Sequence, residues 1–352
     1  MNALATLLER LASLGADALL ISAPANVRYL SGFSSPEDGR VLLCAERALL
    51  LTDGRYIAQA GEESRLEVAI TELGKPWHQD VAERVQGKTL AVEADHLTQQ
   101  LFEQLKEKLD GQVVATSGWV AELRLIKTPD ELAHLRQAAQ LTDAAFSYIL
   151  GVIEPGLSEV EVALALEAFM RRHGADGKSF EIIVASGPRS AMPHGVASQK
   201  RLASGELVTL DFGAKVQGYH ADMTRTVALG EISSELRRLY DAVLRAQEAA
   251  LAALAPGKDG QEIDALARGI LAEAGLDGYF SHGLGHGVGL QIHEGPRLAK
   301  TISQVLKPGM TVTVEPGVYL PGLAGVRIED LAVITETGYE RLSHSDKALI
   351  TL

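Results

Sequence analysis

Two stretches of this chain echo each other, and the echo restricts what the chain can fold into. Gly205-Glu206-Leu207-Val208-Thr209-Leu210-Asp211-Phe212-Gly213 and Gly309-Met310-Thr311-Val312-Thr313-Val314-Glu315-Pro316-Gly317 each place a glycine six residues ahead of a carboxylate. An apolar strand runs between, and a second glycine stands two residues after the acid. Each stretch then turns back, the first through Val216-Gln217-Gly218 to Asp222, the second through Pro321-Gly322-Leu323-Ala324-Gly325 to Glu329. Residues equidistant from the turn of an antiparallel hairpin lie opposite each other, with Cβ atoms about 4.5–5.5 Å apart. The midpoint of 211 and 222 falls at Val216-Gln217, and that of 315 and 329 at Gly322. Each hairpin is therefore expected to present two carboxylates side by side.

Carboxylates on apolar strands are too costly to bury unpaired. Taken singly, each acid reads equally as a solvent-exposed strand end. A matched set of four is better explained by two divalent cations, which such sites hold about 3.5–4 Å apart with bridging carboxylates. Asp330 follows Glu329 and should point to the opposite face of its strand, away from the metals.

The segment Ser281-His282-Gly283-Leu284-Gly285-His286-Gly287-Val288-Gly289-Leu290-Gln291-Ile292-His293-Glu294 is the second anchor. No window in it fits G-x-G-x-x-G, and Arg297 stands where H-E-x-x-H needs its second histidine, so neither a dinucleotide loop nor a zincin helix is present. Glycines around His286 instead let backbone pass close to a crowded site. Four carboxylates with one histidine make a hard ligand set, which favours Mn²⁺ or Co²⁺ over Zn²⁺.

The fold class expected is α/β (α+β) in two domains, because 352 residues exceed a comfortable single core. Residues 1–123 alternate helices and strands: a helix at 3–14, a strand at 18–21, a hairpin within 41–52 and a strand near 89–92. Residues 124–352 begin with a helix start at Lys127-Thr128-Pro129-Asp130-Glu131, where Thr128 caps and Pro129 takes the first helical position. Helices follow at about 129–150, 158–173, 234–254 and 260–274, with strands and glycine-rich turns after Phe180.

With 33 Lys+Arg against 46 Asp+Glu the formal charge is −13. That acidity argues against nucleic acid as a partner and against a basic membrane-surface role. A single cysteine, Cys44, allows no intrachain disulfide and reads as a buried strand thiol. The leading residues look like an amphipathic helix rather than a signal peptide, and no apolar run is long enough to span a bilayer. A cytoplasmic location is expected.

The order Asp211, Asp222, His286, Glu315, Glu329, with Pro193-His194 upstream and His293 seven residues past His286, resembles the methionine aminopeptidase/prolidase/aminopeptidase P superfamily. The likeness is strong over about 125–352, and the preceding residues resemble the creatinase-like amino-terminal domain of its prolidase and aminopeptidase P branch. It implies a C-terminal "pita-bread" domain with a pseudo-two-fold internal repeat. It implies that Asp211 binds one metal through both oxygens, that Asp222 and Glu329 bridge, and that His286 and Glu315 complete the other shell. Glu315 would also be the catalytic base, His194 and His293 catalytic and substrate-contacting histidines, and Arg327 an outer arginine that either contacts substrate or pairs with a ligand carboxylate. The implied substrate is a small peptide with proline at its second position, and the implied assembly a homodimer. The 14-position separation of Glu315 and Glu329 and the total length are similar to a compact prolidase.

An Xaa-Pro bond has no N–H, which peptidases that need that donor reject. Whether dipeptides or longer peptides are preferred, prolidase or aminopeptidase P, turns on a cation that meets the free proline carboxylate. Arg297 is the candidate, and Asp38 and Arg40 lie in a loop that would reach an active site across a dimer. For all three, a solvated charge is the alternative. A metal-free creatinase-like hydrolase and a non-catalytic pita-bread binding protein are the rival readings, and both are weakened by the intact ligand positions.

Overall fold

The computed structural model describes residues 3–352, and the chain divides into two compact units, the first ending at Arg124 and the second running Leu125–Leu352. The first unit is a mixed six-stranded sheet of order β4-β3-β2-β1-β5-β6, with β1 Ala18–Ile21, β2 Arg40–Cys44, β3 Arg47–Thr52, β4 Glu67–Ile70, β5 Thr89–Glu93 and β6 Gln112–Thr116. Strand β1 is an unbroken apolar run because both its faces are covered. Leu19 and Ile21 pack with Leu7 and Leu11 of the helix Ala3–Leu14. Ala18 and Leu20 pack on the other side with Val81 and Leu105, from the helices Trp77–Arg84 and Gln99–Lys108. Cys44 is buried in β2, and burial raises its thiol pKa. The Asp38 carboxylate accepts from Arg55 at 2.9 Å and from the Tyr56 hydroxyl at 2.7 Å, and the Arg40 guanidinium lies 5.0 Å over the Trp77 ring.

The second unit is built twice from the same parts. Its first half has the helices Pro129–Ile149 and Glu159–Arg172, then β7 Gly177–Lys178, β8 Ile183–Ser186, β9 Glu206–Phe212, β10 Ala214–Val216, β11 Tyr219–His220 and β12 Met223–Leu229. The second half has the helices Ser234–Ala252 and Gly260–Glu273, then β13 Gly285–Gly287, β14 Glu294–Leu298, β15 Thr311–Val314, β16 Gly317–Leu320, β17 Ala324–Arg327, β18 Asp330–Ile334 and β19 Tyr339–Arg341. Thr128 and Ser158 start the first helix pair through capping boxes with Glu131 and Glu161. Ser233 and Asp259 cap the second pair. The runs Pro155-Gly156-Leu157-Ser158 and Pro256-Gly257-Lys258-Asp259 lead into equivalent helices, so the repeat extends beyond the strands. Each half buries its own core. Phe146, Leu166 and Met170 pack against Leu210 and Phe212, and Val243, Ile263 and Leu271 share a core with Val312 and Val314.

The two hairpins differ in register. In the second, Val314 pairs with Asp330 and Gly317 with Arg327, and the same register carried through the intervening residues sets Glu315 opposite Glu329, as expected. In the first, Asp211 pairs with Thr224, and Val216 with Tyr219 around Gln217-Gly218. Both turn residues have positive φ, 50° and 78°, the signature of a two-residue I′ turn. The turn therefore lies one residue later than its sequence midpoint, and the expected direct pairing of Asp211 with Asp222 is wrong. Asp222 falls opposite Gly213, on the same face as Asp211 but diagonal to it. No described helix is long and apolar enough to cross a membrane.

Candidate metal centre and substrate cavity

Strands β9 and β15 carry Asp211 and Glu315 at or just past their ends, and the returning strands β12 and β18 are preceded by Asp222 and Glu329. Strand β13 adds His286. Its neighbours must be glycine because the backbones nearly touch: a Cβ on Gly285 would lie 2.0 Å from the Thr313 carbonyl oxygen, and one on Gly287 1.8 Å from that of Gly295. Ligand atoms of Asp222, His286 and Glu329 lie within 4.8 Å of one another, all in buried residues. His286 Nε2 is 3.2 Å from Glu315 Oε1 and 3.6 Å from Asp222 Oδ2. Its Nδ1–H donates to the Gly287 carbonyl at 3.1 Å, which leaves Nε2 as the nitrogen facing the acids.

Four carboxylates at this density cannot all be ionised without a cation. Burial, and after it the neighbouring carboxylates, pushes Asp222 and Glu329 well above the usual carboxylate range. Burial also raises Asp211, against the pull of Arg327. Burial would raise Glu315 too, but the hydrogen bond and charge of His286 prevail and hold it at about 2. Asp211 Oδ1 and Glu329 Oε1 are buried with no hydrogen-bond partner. Orphaned carboxylate oxygens beside an imidazole whose Nε2 faces them are the donor set that a pair of divalent cations satisfies.

The remaining oxygens are held by groups that the strand pattern alone did not single out. Thr224 Oγ1 donates to Glu329 Oε2 at 2.6 Å and accepts from Arg327 Nε at 3.1 Å. Thr313 Oγ1 donates to Glu315 Oε1 at 3.1 Å and accepts from the His286 amide at 3.0 Å. Arg327 is buried and donates to Asp211 Oδ2 at 2.6 Å, to the Tyr319 hydroxyl at 2.8 Å and to the Pro193 carbonyl at 3.2 Å. With its guanidinium so engaged, its part in the site is to hold Asp211. His282, left without a role by the sequence, donates from Nδ1 to the Gly283 carbonyl, and its Nε2 accepts from Tyr319 at 2.8 Å. Asp330 points away from the acids, as expected, into a buried cluster with Arg225 at 2.7 Å and Lys347 at 2.9 Å.

All these acids line one cavity of about 570 Å³ with His194, His282, His286, His293, Arg297 and Tyr319. Its apolar wall includes Phe180, Ile183, Val196, Ile292 and Ile302. His194 and His293 are exposed in it, and the His293 ring sits edge-on to His286 with centroids 4.4 Å apart. Burial lowers the His293 pKa, so a neutral imidazole is favoured. The next residue, Glu294, is tied by a 2.7 Å ion pair to the buried Lys127. Asp38 and Arg40 belong to the other unit and line a separate cavity there.

Residues 133–336 match Metallopeptidase family M24, and residues 4–126 match the Creatinase/Prolidase N-terminal domain. An Xaa-Pro dipeptidase from Pyrococcus furiosus is 39% identical, over 95% of this chain and 95% of its own. A solved Xaa-Pro dipeptidase from Bacillus anthracis superposes with a TM-score of 0.95 at 45% identity, covering 99% of both chains. An X-Pro aminopeptidase from Thermotoga maritima superposes with a TM-score of 0.89 at 36% identity, covering 97% of this chain and 100% of its own. Family match, full-length relatives and the clustered acids agree: this chain belongs to metallopeptidase family M24 and joins a creatinase/prolidase-type N-terminal domain to the peptidase domain.

Proposed function

We propose that this peptidase hydrolyses the Xaa-Pro peptide bond and prefers Xaa-Pro dipeptides. The observation that carries the reading is the convergence of Asp211, Asp222, His286, Glu315 and Glu329 on one cavity, with two buried carboxylate oxygens left unpartnered. These five side chains would hold two divalent cations, Mn²⁺ by the hardness of the set, with Co²⁺ and Zn²⁺ as substitutes. Bound there, the cations lower the pKa of water and polarise a carbonyl. Glu315 takes the proton of the attacking water and returns it to the leaving proline nitrogen. His194, exposed in the same cavity, donates to the oxyanion that develops on the scissile carbonyl. His293 contacts the substrate backbone beside it.

Arg297 supports the dipeptide preference. It lines the cavity on β14, directly across from His286, and its guanidinium has no ion-pair partner among the described residues. A free guanidinium there suits the carboxylate of a C-terminal proline. Close full-length relatives bear the name Xaa-Pro dipeptidase, which supports the same choice. We assign the protein to the cytoplasm as a homodimer.

The test compares Ala-Pro with Ala-Pro-Ala on the manganese-loaded protein. A larger kcat/KM for Ala-Pro is expected. Preference for the tripeptide would make the chain an aminopeptidase P, and no cleavage of either would leave a non-catalytic binding protein.

A further inference from the structure

We propose that Glu159, far along the chain from every metal-binding candidate, is a positioning residue for His194. Glu159 opens the helix Glu159–Arg172 and its side chain is fully buried, at 0% exposure. A buried carboxylate is costly unless each of its oxygens is satisfied. This one is satisfied entirely by the two ends of a single segment, 186–198, whose far part carries His194. Glu159 Oε1 accepts from the Ser186 amide at 2.9 Å and from the Ser186 hydroxyl at 2.9 Å. Glu159 Oε2 accepts from the Ser198 amide at 3.1 Å, from the Ser198 hydroxyl at 2.7 Å, and from Arg189. Arg189 in turn donates to the Val196 carbonyl at 3.0 Å, spanning the segment from inside.

The other side of the segment is pinned from the second half of the repeat. The Gly325 amide donates to Ser190 Oγ at 2.8 Å, and Arg327 donates to the Pro193 carbonyl, the residue before His194. His194 is therefore suspended between a carboxylate at the root of its segment and the arginine that holds Asp211. Its own ring is exposed in the cavity, so its aim is set by the backbone that carries it. The equivalent helix of the second half begins with Gly260, where a Cβ would lie 2.6 Å from the Arg297 carbonyl oxygen, so no side chain can serve there. That half uses Asp264, a turn further on, which accepts from the Leu284 amide at 3.0 Å ahead of His286. Each half thus roots its histidine-bearing segment on a buried acid of its second helix.

This inference rests on the role assigned to His194 above. The test uses the full chain and two readouts. Glu159→Gln keeps size but turns an amide NH₂ towards donors. Amide exchange within 187–197 should then accelerate at least tenfold while that of 206–229 stays as in the wild type. In Ala-Pro kinetics with manganese, kcat should fall about tenfold to a hundredfold, the cost of a misplaced catalytic group, with KM and bound metal little changed. In a His194→Ala background, Glu159→Gln should add almost nothing further to the loss in kcat. Ser198→Ala, which removes one of the five bonds, should show the same pattern more weakly and serves if Glu159→Gln does not fold. Unchanged exchange in 187–197, or a kcat loss that multiplies fully with that of His194→Ala, overturns the proposal. The exchange readout stands whether or not Ala-Pro proves to be the substrate, so the two readings fail separately.

Discussion

The two carboxylate hairpins of the peptidase unit descend from one pattern and solve the same problem differently. In the second, a turn symmetric about Gly322 sets Glu315 directly opposite Glu329. In the first, the Gln217-Gly218 turn slides Asp222 past Asp211, and Thr224 takes the facing position. The slip has a use. Thr224 donates to Glu329 and accepts from Arg327, which itself holds Asp211, so a first-half side chain braces candidate ligands of both halves. Behind the strands the halves differ again: Met223 follows Asp222 into an apolar core, whereas Asp330 follows Glu329 into a cluster with Arg225 and Lys347. A strict repeat would have built a symmetric site. Glu315 stands apart from the other acids in its partners, Thr313 and His286.

The largest effect should come from that acid. Glu315→Gln is predicted to lower kcat for Ala-Pro about a thousandfold, the middle of the range for removing a general base. Steady-state kinetics beside metal analysis would check it. A variant with near-normal kcat would remove the asymmetry from the chemistry.

The cluster behind the second hairpin comes next. Burial would raise the Asp330 pKa, but Arg225 and Lys347 outweigh it and hold the carboxyl below its ordinary range. A depressed folded pKa means stability present above the unfolded value of about 3.9 and lost as pH falls through the folded one. Asp330→Asn leaves two buried cations under-paired and should cost about 3–5 kcal/mol at neutral pH. Denaturant melts across pH should also show the variant losing less on acidification than the wild type. Equal acid sensitivity would mean that the cluster is not ionised as described.

Much of this candidate site is legible in the sequence, for reasons that are local. The acids and His286 sit in short strands whose alternation and flanking glycines are visible in a few residues. The facing of Glu315 and Glu329 followed from a turn whose centre is its midpoint. The first hairpin misled because a left-handed Gln217-Gly218 pair moves the centre by one residue, and nothing in a midpoint reports which turn residue adopts positive φ. Thr224, Tyr319, His282 and Glu159 were missed because their roles depend on partners far along the chain. One signal was available: the Pro-Gly-x-Ser and Pro-Gly-x-Asp helix starts repeat as the strands do, and they point to the first turn of each second helix. The resemblance leaves Arg327 either touching substrate or pairing with a ligand carboxylate, and the fold commits its guanidinium to Asp211, Tyr319 and Pro193.

Two smaller effects sharpen the comparison. Thr224→Val removes a bond that ties the halves together, and Thr313→Val removes bonds made within the second half alone. Loss of such supporting bonds typically weakens metal binding about 10–100-fold. Thr224→Val should lie near the top of that range and Thr313→Val near the bottom, as read by manganese titration calorimetry. Smallest is Arg297→Ala, which should raise KM for Ala-Pro about tenfold with kcat little changed, in line with losing one charge-assisted contact. Unchanged dipeptide kinetics would sink Arg297 as the carboxylate clamp.

We propose that both hairpins close on one dinuclear site. Anomalous diffraction from crystals soaked in manganese measures it directly. Two manganese peaks per chain are predicted, contacted by Asp211, Asp222, His286, Glu315 and Glu329, with Asp211 Oδ1 and Glu329 Oε1 among the ligand atoms. A single peak held by one hairpin alone, or none at saturating manganese, would contradict the account.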